Sequence, residues 1–215
     1  MSNYFHLPDD ITFGSGENGG SITFGEARRY KNELDRIDSL KRRMETYYVN
    51  GLRGSPNPFI SSILTCMGVE VLGQIMLGTK DGETDEKNTI QVYQMLDPLF
   101  KQGLSNVFSL AYNARRSDNN PPRNYAKDFP TYAHIVRKGL RNTFTHSYRS
   151  LGVVLDDRLT SLVEVDEVHG MVIIEPSRFR EEFISVFYSL FDSARSNENP
   201  KYKRSLLKYY SLLIK

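Results

Sequence analysis

The chain has 215 residues, with 28 lysines and arginines against 26 aspartates and glutamates and a formal net charge of +2. So small a net charge argues against a protein that coats nucleic acid with a uniformly basic surface, and leaves room for a local basic cleft. The 39% apolar and 25% charged residues are far from a disordered composition, and the length is sufficient for a buried core.

The single cysteine, Cys66, excludes an intramolecular disulfide and a zinc site built from several cysteines. Because it lies in an apolar segment, we interpret it as a small core residue rather than a reactive thiol. The first residues lack the basic-then-apolar pattern of a signal peptide, and no apolar run approaches about 18 residues. We therefore expect a soluble, cytoplasmic protein in a reducing compartment, without a membrane segment.

Residues 1–25 contain two copies of Ile-Thr-Phe-Gly, at 11–14 and 22–25, on either side of the glycine-rich SGENGGS. Two short β-like runs around a glycine loop predict a hairpin, so we expect this segment to be a flexible or hairpin arm. A phosphate-cradling loop is disfavoured, because neither Gly-Lys-Ser/Thr nor a strand–loop–helix context follows.

The rest of the chain has mainly helical apolar periodicity. The segment Phe59–Leu77 is apolar nearly all round and is predicted to be the most buried helix. Asp97-Pro98 predicts a kink or restart after the third helix. The C-terminal helix is strongly basic, and either packs on the body or binds RNA or another anionic surface. We predict helices over 26–50, 59–77, from Thr84 through Leu96, over 129–150, from an N-cap at Ser177, and from Pro200.

Two segments depart from the helical pattern. Residues 115–125, RRSDNNPPRNY, are predicted to be irregular, either as a surface loop or as a basic loop that holds RNA backbone. Val163–Ile174 alternates and then becomes β-branched, which predicts a hairpin with His169-Gly170 at its turn. We interpret His169 as a turn residue and not a metal ligand. Since no repeat or linker divides the chain, we predict a single all-α domain over 26–215, with this small inserted hairpin at about 163–174.

Most of the candidate chemistry lies in residues 129–150, FPTYAHIVRKGLRNTFTHSYRS. We expect this helix to begin at Asp128, with Pro130 in its first turn and an apolar stripe on one face. The apolar stripe is predicted to comprise Tyr132, Ile135, Val136, Leu140 and Phe144. The polar residues beside it are His134, Arg137, Lys138, Arg141, Asn142, Thr145, His146 and Arg149.

The angular positions on this helix restrict how its polar side chains can act together. On an ideal α-helix, Asn142 and His146 share a face, whereas Arg141 and His146 point about 140° apart. Asn142 can therefore orient His146 directly. Arg141 must reach round on its long stem, or meet the histidine of a second subunit in a twofold dimer.

The run Arg141-Asn142-Thr143-Phe144-Thr145-His146 resembles the signature of the HEPN superfamily, in which an arginine and a polar residue, often asparagine, precede a histidine. Members of that family are all-α domains that dimerise. Many are metal-independent endoribonucleases that act as toxins or in defence against phage, and others have lost catalysis and serve as binding or scaffolding modules. The resemblance implies a HEPN-like helical bundle and a homodimer with its motif helix at the twofold axis.

The resemblance also implies roles for the motif residues. His146 would act as general base or acid, Arg141 would clamp the scissile phosphate, and Asn142 would hold the imidazole or contact the phosphate. RNA supplies its own 2′-hydroxyl nucleophile, so no metal or cofactor is expected. The partners implied are RNA, a second copy of the chain, and an antitoxin protein or another partner. The neighbouring residues that we predict to bind RNA are Arg137, Lys138 and Arg149.

Two alternatives to catalysis stay open at this point. In one, the chain is a non-catalytic HEPN-like binding or dimerisation module, and Arg141 and His146 serve its dimer interface. In the other, the two residues are purely structural, because Arg141 pairs with an acid and His146 is buried with its hydrogen bonds satisfied.

Overall fold

The structure, a computed structural model, describes residues 8–16, 18–55, 57–78, 86–116, 124–142 and 152–215. Within these residues the protein is mainly α-helical with two small sheets, which confirms the predicted class at that level. Two compact units are formed, each from separate segments of the chain. One unit comprises Met1–Gly54, Val71–Asn88 and Ile184–Lys215, and the other comprises Ser55–Glu70 and Thr89–Phe183. The single domain over 26–215 stays a prediction.

The first unit begins with an antiparallel hairpin of β1 (Thr12–Ser15) and β2 (Ser21–Thr23). The helical elements that follow are α1 (Phe24–Arg29), α2 (Glu33–Met44), a π-helical turn (Glu45–Val49) and α3 (Asn50–Arg53). The predicted continuous helix over 26–50 is therefore wrong. The chain leaves the helix at Tyr30, and the Asn32 side chain then caps α2 by accepting a hydrogen bond from the Leu34 amide at 3.0 Å.

The N-terminal hairpin is confirmed, and it packs against α2 rather than extending as a flexible arm. Phe13 is fully buried, and its ring meets the edges of Phe24 and Tyr210 at centroid distances of 5.1 and 5.7 Å. The Arg43 guanidinium of α2 lies 4.9 Å from the centre of the Phe13 ring and donates a hydrogen bond to the Phe13 carbonyl. These contacts fix the hairpin on α2.

The chain ends in two helices, α8 (Pro176–Arg195) and α9 (Pro200–Leu213). Asn199 caps α9, which confirms the predicted start at Pro200. α9 packs on α2 with Leu206 and Tyr210 buried, and the Tyr210 hydroxyl donates to the Ala27 carbonyl at 2.6 Å. The packing interpretation of this basic helix is thus confirmed.

The helix α4 (Pro58–Leu77) begins one residue before the predicted Phe59 and ends at the predicted Leu77, and it is followed by α5 (Glu86–Leu96). The predicted start of the third helix, Thr84, lies outside the described residues. One face of α4 is exposed rather than buried. Ile60 is 48% exposed and Met67 is 51% exposed, and these two residues, seven apart, lie on the same face. We expected no segment that could cross a membrane, but α4 is long and apolar enough to cross a bilayer. Most of that stretch is buried inside the protein.

The second unit continues through short elements. In order, they are a 3₁₀ turn (Pro98–Lys101), α6 (Asn106–Arg116), a 3₁₀ turn (Tyr125–Asp128), α7 (Tyr132–Val136) and a π-helical segment (Arg137–Asn142). The Asp97 carboxylate accepts from the Leu99 amide at 2.7 Å, which confirms the predicted restart at Asp97-Pro98. The predicted irregular segment 115–125 begins too early, because α6 extends through Arg116; residues 117–123 lie outside the described part of the chain.

A three-stranded sheet follows, formed by β3 (Val153–Leu155), β4 (Val163–Asp166) and β5 (Met171–Ile174) in the order β3-β5-β4. The antiparallel pair β4–β5 confirms the predicted hairpin. The parallel strand β3 was not predicted. At the hairpin turn, Gly170 has φ +60° and a side chain there would lie 2.4 Å from the Tyr112 amide nitrogen, so the turn requires glycine.

The helix after the sheet begins with a different cap from the one predicted. Ser177 lies inside α8, and the buried Glu175 is the capping residue. Its carboxylate accepts hydrogen bonds from the amides of Ser177, at 3.1 Å, and Arg178. A carboxylate is favourable at this position because it meets the positive end of the helix dipole.

Candidate functional site

The motif stretch enters its helix later than predicted. Thr131 is extended, with φ −139° and ψ 165°, and α7 begins at Tyr132, so the predicted entry at Asp128 is wrong. The physical reason is a tether to a distant segment. Thr131 forms a β-bridge with Gly103, and the Tyr132 amide donates to the Gln102 carbonyl at 3.3 Å, which holds this backbone extended.

The predicted apolar stripe is confirmed over the described part of the helix. Tyr132, Ile135, Val136 and Leu140 are all buried, and the Tyr132 ring packs edge-on against Phe108 at 5.1 Å. Phe144, the last predicted member, lies outside the described residues. The stripe therefore anchors the residues that lead into the motif.

From Arg137 to Asn142 the helix has π geometry, with hydrogen bonds between residues five apart rather than four. The predicted angle of about 140° between Arg141 and His146 assumed an ideal α-helix, and that assumption does not hold for this segment. Single π-helical turns within helices occur frequently at functional sites. Arg141 and Asn142 are described by their backbone alone, and Thr145, His146 and Arg149 lie outside the described residues.

Arg137, one of the predicted RNA-binding residues, is held in an ion pair inside the second unit. Its Nε lies 3.0 Å from Oε1 of Glu70, and the two side chains are only 14% and 10% exposed. A charge removed from water to this extent needs an opposite charge beside it. The pair joins α4 to the first residue of the π-helical segment.

Lys138, the second predicted RNA-binding residue, is exposed. Its Nζ lies 6.0 Å from the centre of the Phe129 ring, a separation at the limit of a cation–π contact. The positive charge of this side chain thus faces solvent beside an aromatic ring at the start of the motif stretch.

The neighbours of Glu70 include two other ionisable side chains, Cys66 on α4 and Tyr93 on α5. Burial raises the pKa of the Cys66 thiol to about 12, and Glu70 contributes in the same direction. Burial likewise raises the pKa of Tyr93 well above its usual value, with Cys66 as the next cause. Cys66 is confirmed as a buried core residue whose thiol is protonated at neutral pH.

A cleft of about 420 Å³ lies just before α7, between residues 103–109 and 124–130. Sequence reasoning did not predict it, because it is built from two segments about 20 residues apart. Its described lining is neutral and polar at Asn106, Ser109 and Asn124, aromatic at Phe129, and positively charged at Lys127.

The remaining described histidines have local roles. Thr131 Oγ1 lies 2.8 Å from the His134 Nδ1, at the start of α7. His169 lies in the hairpin turn, as predicted, and its Nδ1 is 2.7 Å from the Asp166 carboxylate. Across the described residues, no three His, Cys, Asp or Glu side chains are grouped so that they could hold a metal ion.

Glu70 is a residue of the candidate site that was not predicted from the sequence, although a signal was present. It is the one charged residue in the apolar stretch Pro58–Leu77. A lone carboxylate on a buried helix requires a partner, and an arginine or lysine elsewhere in the chain is the expected one. Sequence alone could not indicate which, since Arg137 is 67 residues away.

In comparisons with family models, curated proteins and solved structures, nothing matches this chain.

Proposed function

We propose that the chain is a metal-independent endoribonuclease of HEPN type that acts in the cytoplasm as a toxin or phage-defence effector. The observation that carries the proposal is Arg141-Asn142-x3-His146, which joins a guanidinium, an amide and an imidazole within six residues. A guanidinium binds phosphate bidentately, and an imidazole transfers protons near neutral pH. The mainly helical surroundings and the buried stripe of α7 support this proposal.

In the proposed reaction, the 2′-oxygen of one ribose attacks the adjacent phosphorus, and the bond from phosphorus to the next nucleotide's 5′-oxygen breaks. The 2′-hydroxyl loses a proton and the 5′-oxygen gains one; His146 performs one transfer, and water or the second copy's histidine performs the other. Arg141 stabilises the charge that develops on the non-bridging oxygens, and Asn142 orients the imidazole. The products are a 2′,3′-cyclic phosphate and a 5′-hydroxyl, and no metal or cofactor takes part.

The neighbouring basic residues differ in how well they suit RNA contact. Lys138 is exposed, as a phosphate contact requires, and we propose the same role for Arg149. Arg137 would have to leave its ion pair with Glu70 to reach RNA. We therefore propose that Arg137 acts mainly by holding the π-helical segment that contains Arg141.

The proposed active form is a homodimer with the 129–150 stretch at its twofold axis. Two copies related in this way would bring two arginines and two histidines into one cleft. An effector of this kind would also need a neutralising partner, and we propose that this partner is an antitoxin protein.

The test is cleavage of a mixed-sequence RNA by purified protein in EDTA. His146→Ala is expected to lower the rate by about 10²–10⁴-fold, the usual contribution of a positioned acid–base group. Arg141→Lys is also expected to be poor, because lysine keeps the charge but loses the bidentate contact. Asn142→Ala is expected to have a smaller effect, as a loss of orientation. DNA of the same sequence should stay intact, since it has no 2′-hydroxyl.

Two matched variants control for general damage. His169→Ala removes an exposed turn histidine, and Arg158→Lys alters an exposed arginine, so both should cleave at the wild-type rate. If folded, dimeric wild-type protein leaves diverse RNAs intact, the endoribonuclease proposal is wrong.

The second candidate function is a non-catalytic HEPN-like binding or dimerisation module. The observation that favours it is exposed apolar surface on the helices α4 and α6. Ile60 and Met67 of α4 are exposed, as are Val107 and Leu110 of α6. On this hypothesis wild-type protein does not cleave RNA, and His146→Ala only weakens the dimer.

A further inference from the structure

Hydrogen bonds hold the cleft between residues 103–109 and 124–130 in shape. The Asn113 side chain holds one wall, because its Nδ2 donates to Asn124 Oδ1 at 3.1 Å and its Oδ1 accepts from the Ala126 amide at 3.0 Å. The β-bridge between Gly103 and Thr131 ties the two segments together. The cleft is therefore preformed and does not need a ligand to assemble it.

The chemistry of the lining selects one kind of ligand. Asn106 and Ser109 offer neutral donors and acceptors, which match the edges of a nucleobase. Phe129 offers a half-buried ring, and aromatic side chains are the usual stacking partners of unpaired bases. A volume of about 420 Å³ lies within the range of small-ligand sites and accommodates one nucleotide.

The lining of the cleft also includes a positively charged side chain. Lys127 is exposed and is the only charged residue among the described residues that line it. Lys138 adds a second positive charge near the ring, with its Nζ 6.0 Å from the Phe129 ring centre. An aromatic ring with two lysines in its neighbourhood suits a base and its flanking phosphates.

We propose that this cleft binds one nucleotide of single-stranded RNA, with the base against Phe129 and a flanking phosphate on Lys127. RNA as the ligand rests on the proposed function. The cleft lies immediately before the helix that leads into Arg141, so it would hold the strand close to the motif on the same polypeptide segment. It is thus a substrate subsite separate from the residues of the proposed chemistry.

The experiment measures binding of a fluorescein-labelled, 2′-O-methyl single-stranded RNA, which cannot be cleaved by 2′-hydroxyl attack. Phe129→Leu is expected to weaken binding by about tenfold or more, as for the loss of one stacked base. Lys127→Gln should weaken binding and also reduce the slope of log K against log salt by about 0.7, the value for one phosphate contact on a single strand. Phe129→Leu should leave that slope unchanged.

Lys201→Gln is the matched control, because it removes one exposed positive charge from the basic helix α9. Its affinity should stay close to wild type, as should that of Phe129→Tyr, which keeps the ring. Thermal unfolding of each variant establishes that Phe129→Leu is folded before its affinity is compared. An abasic strand with the same phosphates should bind the wild type more weakly than the RNA.

The proposal is overturned if wild-type protein does not bind the RNA, if both cleft variants bind like wild type, or if the abasic strand binds equally well. A parallel measurement of RNA cleavage shows whether a failure concerns the subsite or the endoribonuclease proposal. If wild-type protein cleaves RNA and the cleft variants leave affinity unchanged, the subsite is wrong and the endoribonuclease stands. If the cleft binds RNA as described but no cleavage occurs, the subsite stands and the endoribonuclease is wrong.

Discussion

The ion pair between Glu70 and Arg137 places two opposite charges where little water reaches them. Removing both charges from water is unfavourable, and their mutual attraction and hydrogen bond offset that cost only while both are present. Because Arg137 is the first residue of the π-helical segment, the pair also determines where that segment meets α4. A change at Glu70 should therefore act on stability first.

We predict that Glu70→Gln lowers the free energy of unfolding by about 3–5 kcal/mol, because it removes the negative charge that lies against the buried Arg137 guanidinium. Urea unfolding followed by circular dichroism measures this directly. The double variant Glu70→Leu with Arg137→Met should lose less stability than Glu70→Gln, since it removes both charges together. Arg158→Gln, in the exposed pair with Asp156, is the control and should leave the midpoint nearly unchanged. Equal midpoints for Glu70→Gln and wild type would contradict the prediction.

The buried thiol of Cys66 is expected to make the stability of the protein depend on pH. Its pKa is about 12 in the folded protein, against an ordinary value of 9.0, because burial disfavours the thiolate. The folded state therefore binds the proton more tightly than the unfolded state. The resulting stability is fully present below about pH 9 and is lost as the pH rises toward about 12.

Urea unfolding at several pH values between about 8 and 11 should show a smaller loss of stability for Cys66→Ala than for wild type, because alanine does not titrate. The native thiol should also react with a disulfide reagent only at the rate at which the protein opens. Rapid modification of Cys66 under native conditions would mean that the thiol is not buried.

The N-terminal hairpin lies very close to the backbone of α2 at Gly14. A side chain at Gly14 would have its Cβ 2.9 Å from the Cα of Arg43, closer than such atoms approach in real structures. The Arg43 guanidinium lies between aromatic rings, 4.9 Å from Phe13 and 4.9 Å from Tyr47. Glycine at position 14 is thus what allows these contacts to form.

We predict that Gly14→Ala moves the hairpin off α2 and lowers the free energy of unfolding by about 1–3 kcal/mol, the usual effect of overpacking. Hydrogen exchange of peptides covering residues 12–23 should become faster. Gly20→Ala is the matched control, because a Cβ there has nothing within 4 Å. Unchanged exchange in Gly14→Ala, or equal effects of both substitutions, would show that the close approach to Arg43 does not fix the hairpin.

We expect sedimentation velocity at micromolar concentration to give a dimer, as the proposed function requires. If the 129–150 stretch faces the twofold axis, Lys138→Glu should change the dimer's dissociation constant, because that exposed charge lies on the stretch. Met67→Lys tests the exposed face of α4 instead. A monomer, or a dimer that only Met67→Lys disrupts, would count against the predicted interface.

The elements that sequence predicts well are those with a strong local pattern. Helix α4 is long and almost wholly apolar, and the β4–β5 hairpin combines period-two alternation with a glycine at its turn. The break between α1 and α2 escaped prediction because the apolar periodicity continues through it, while the cap at Asn32 depends on one side-chain hydrogen bond. Strand β3 is three residues long, and its pairing with β5 is non-local.

The candidate site likewise contains features that have a local sequence pattern and features that do not. The motif from Arg141 to His146 is a local pattern and is legible in the sequence. Glu70 is 67 residues from Arg137, and the cleft is formed by two separate segments, so neither has a local signature. The π-helical segment that begins at Arg137 is a shift in backbone hydrogen bonding with no sequence pattern of its own.

The strand order β3-β5-β4 has a consequence for synthesis on the ribosome, because the last strand to emerge is the central one. In the described sheet, β3 and β4 each pair with β5, so neither has a partner until Met171–Ile174 has left the exit tunnel. The β4–β5 hairpin then closes within about 1–10 μs, and β3 can add to its free edge. A nascent chain interrupted before Met171 would carry two unpaired strands, a form prone to edge-to-edge aggregation.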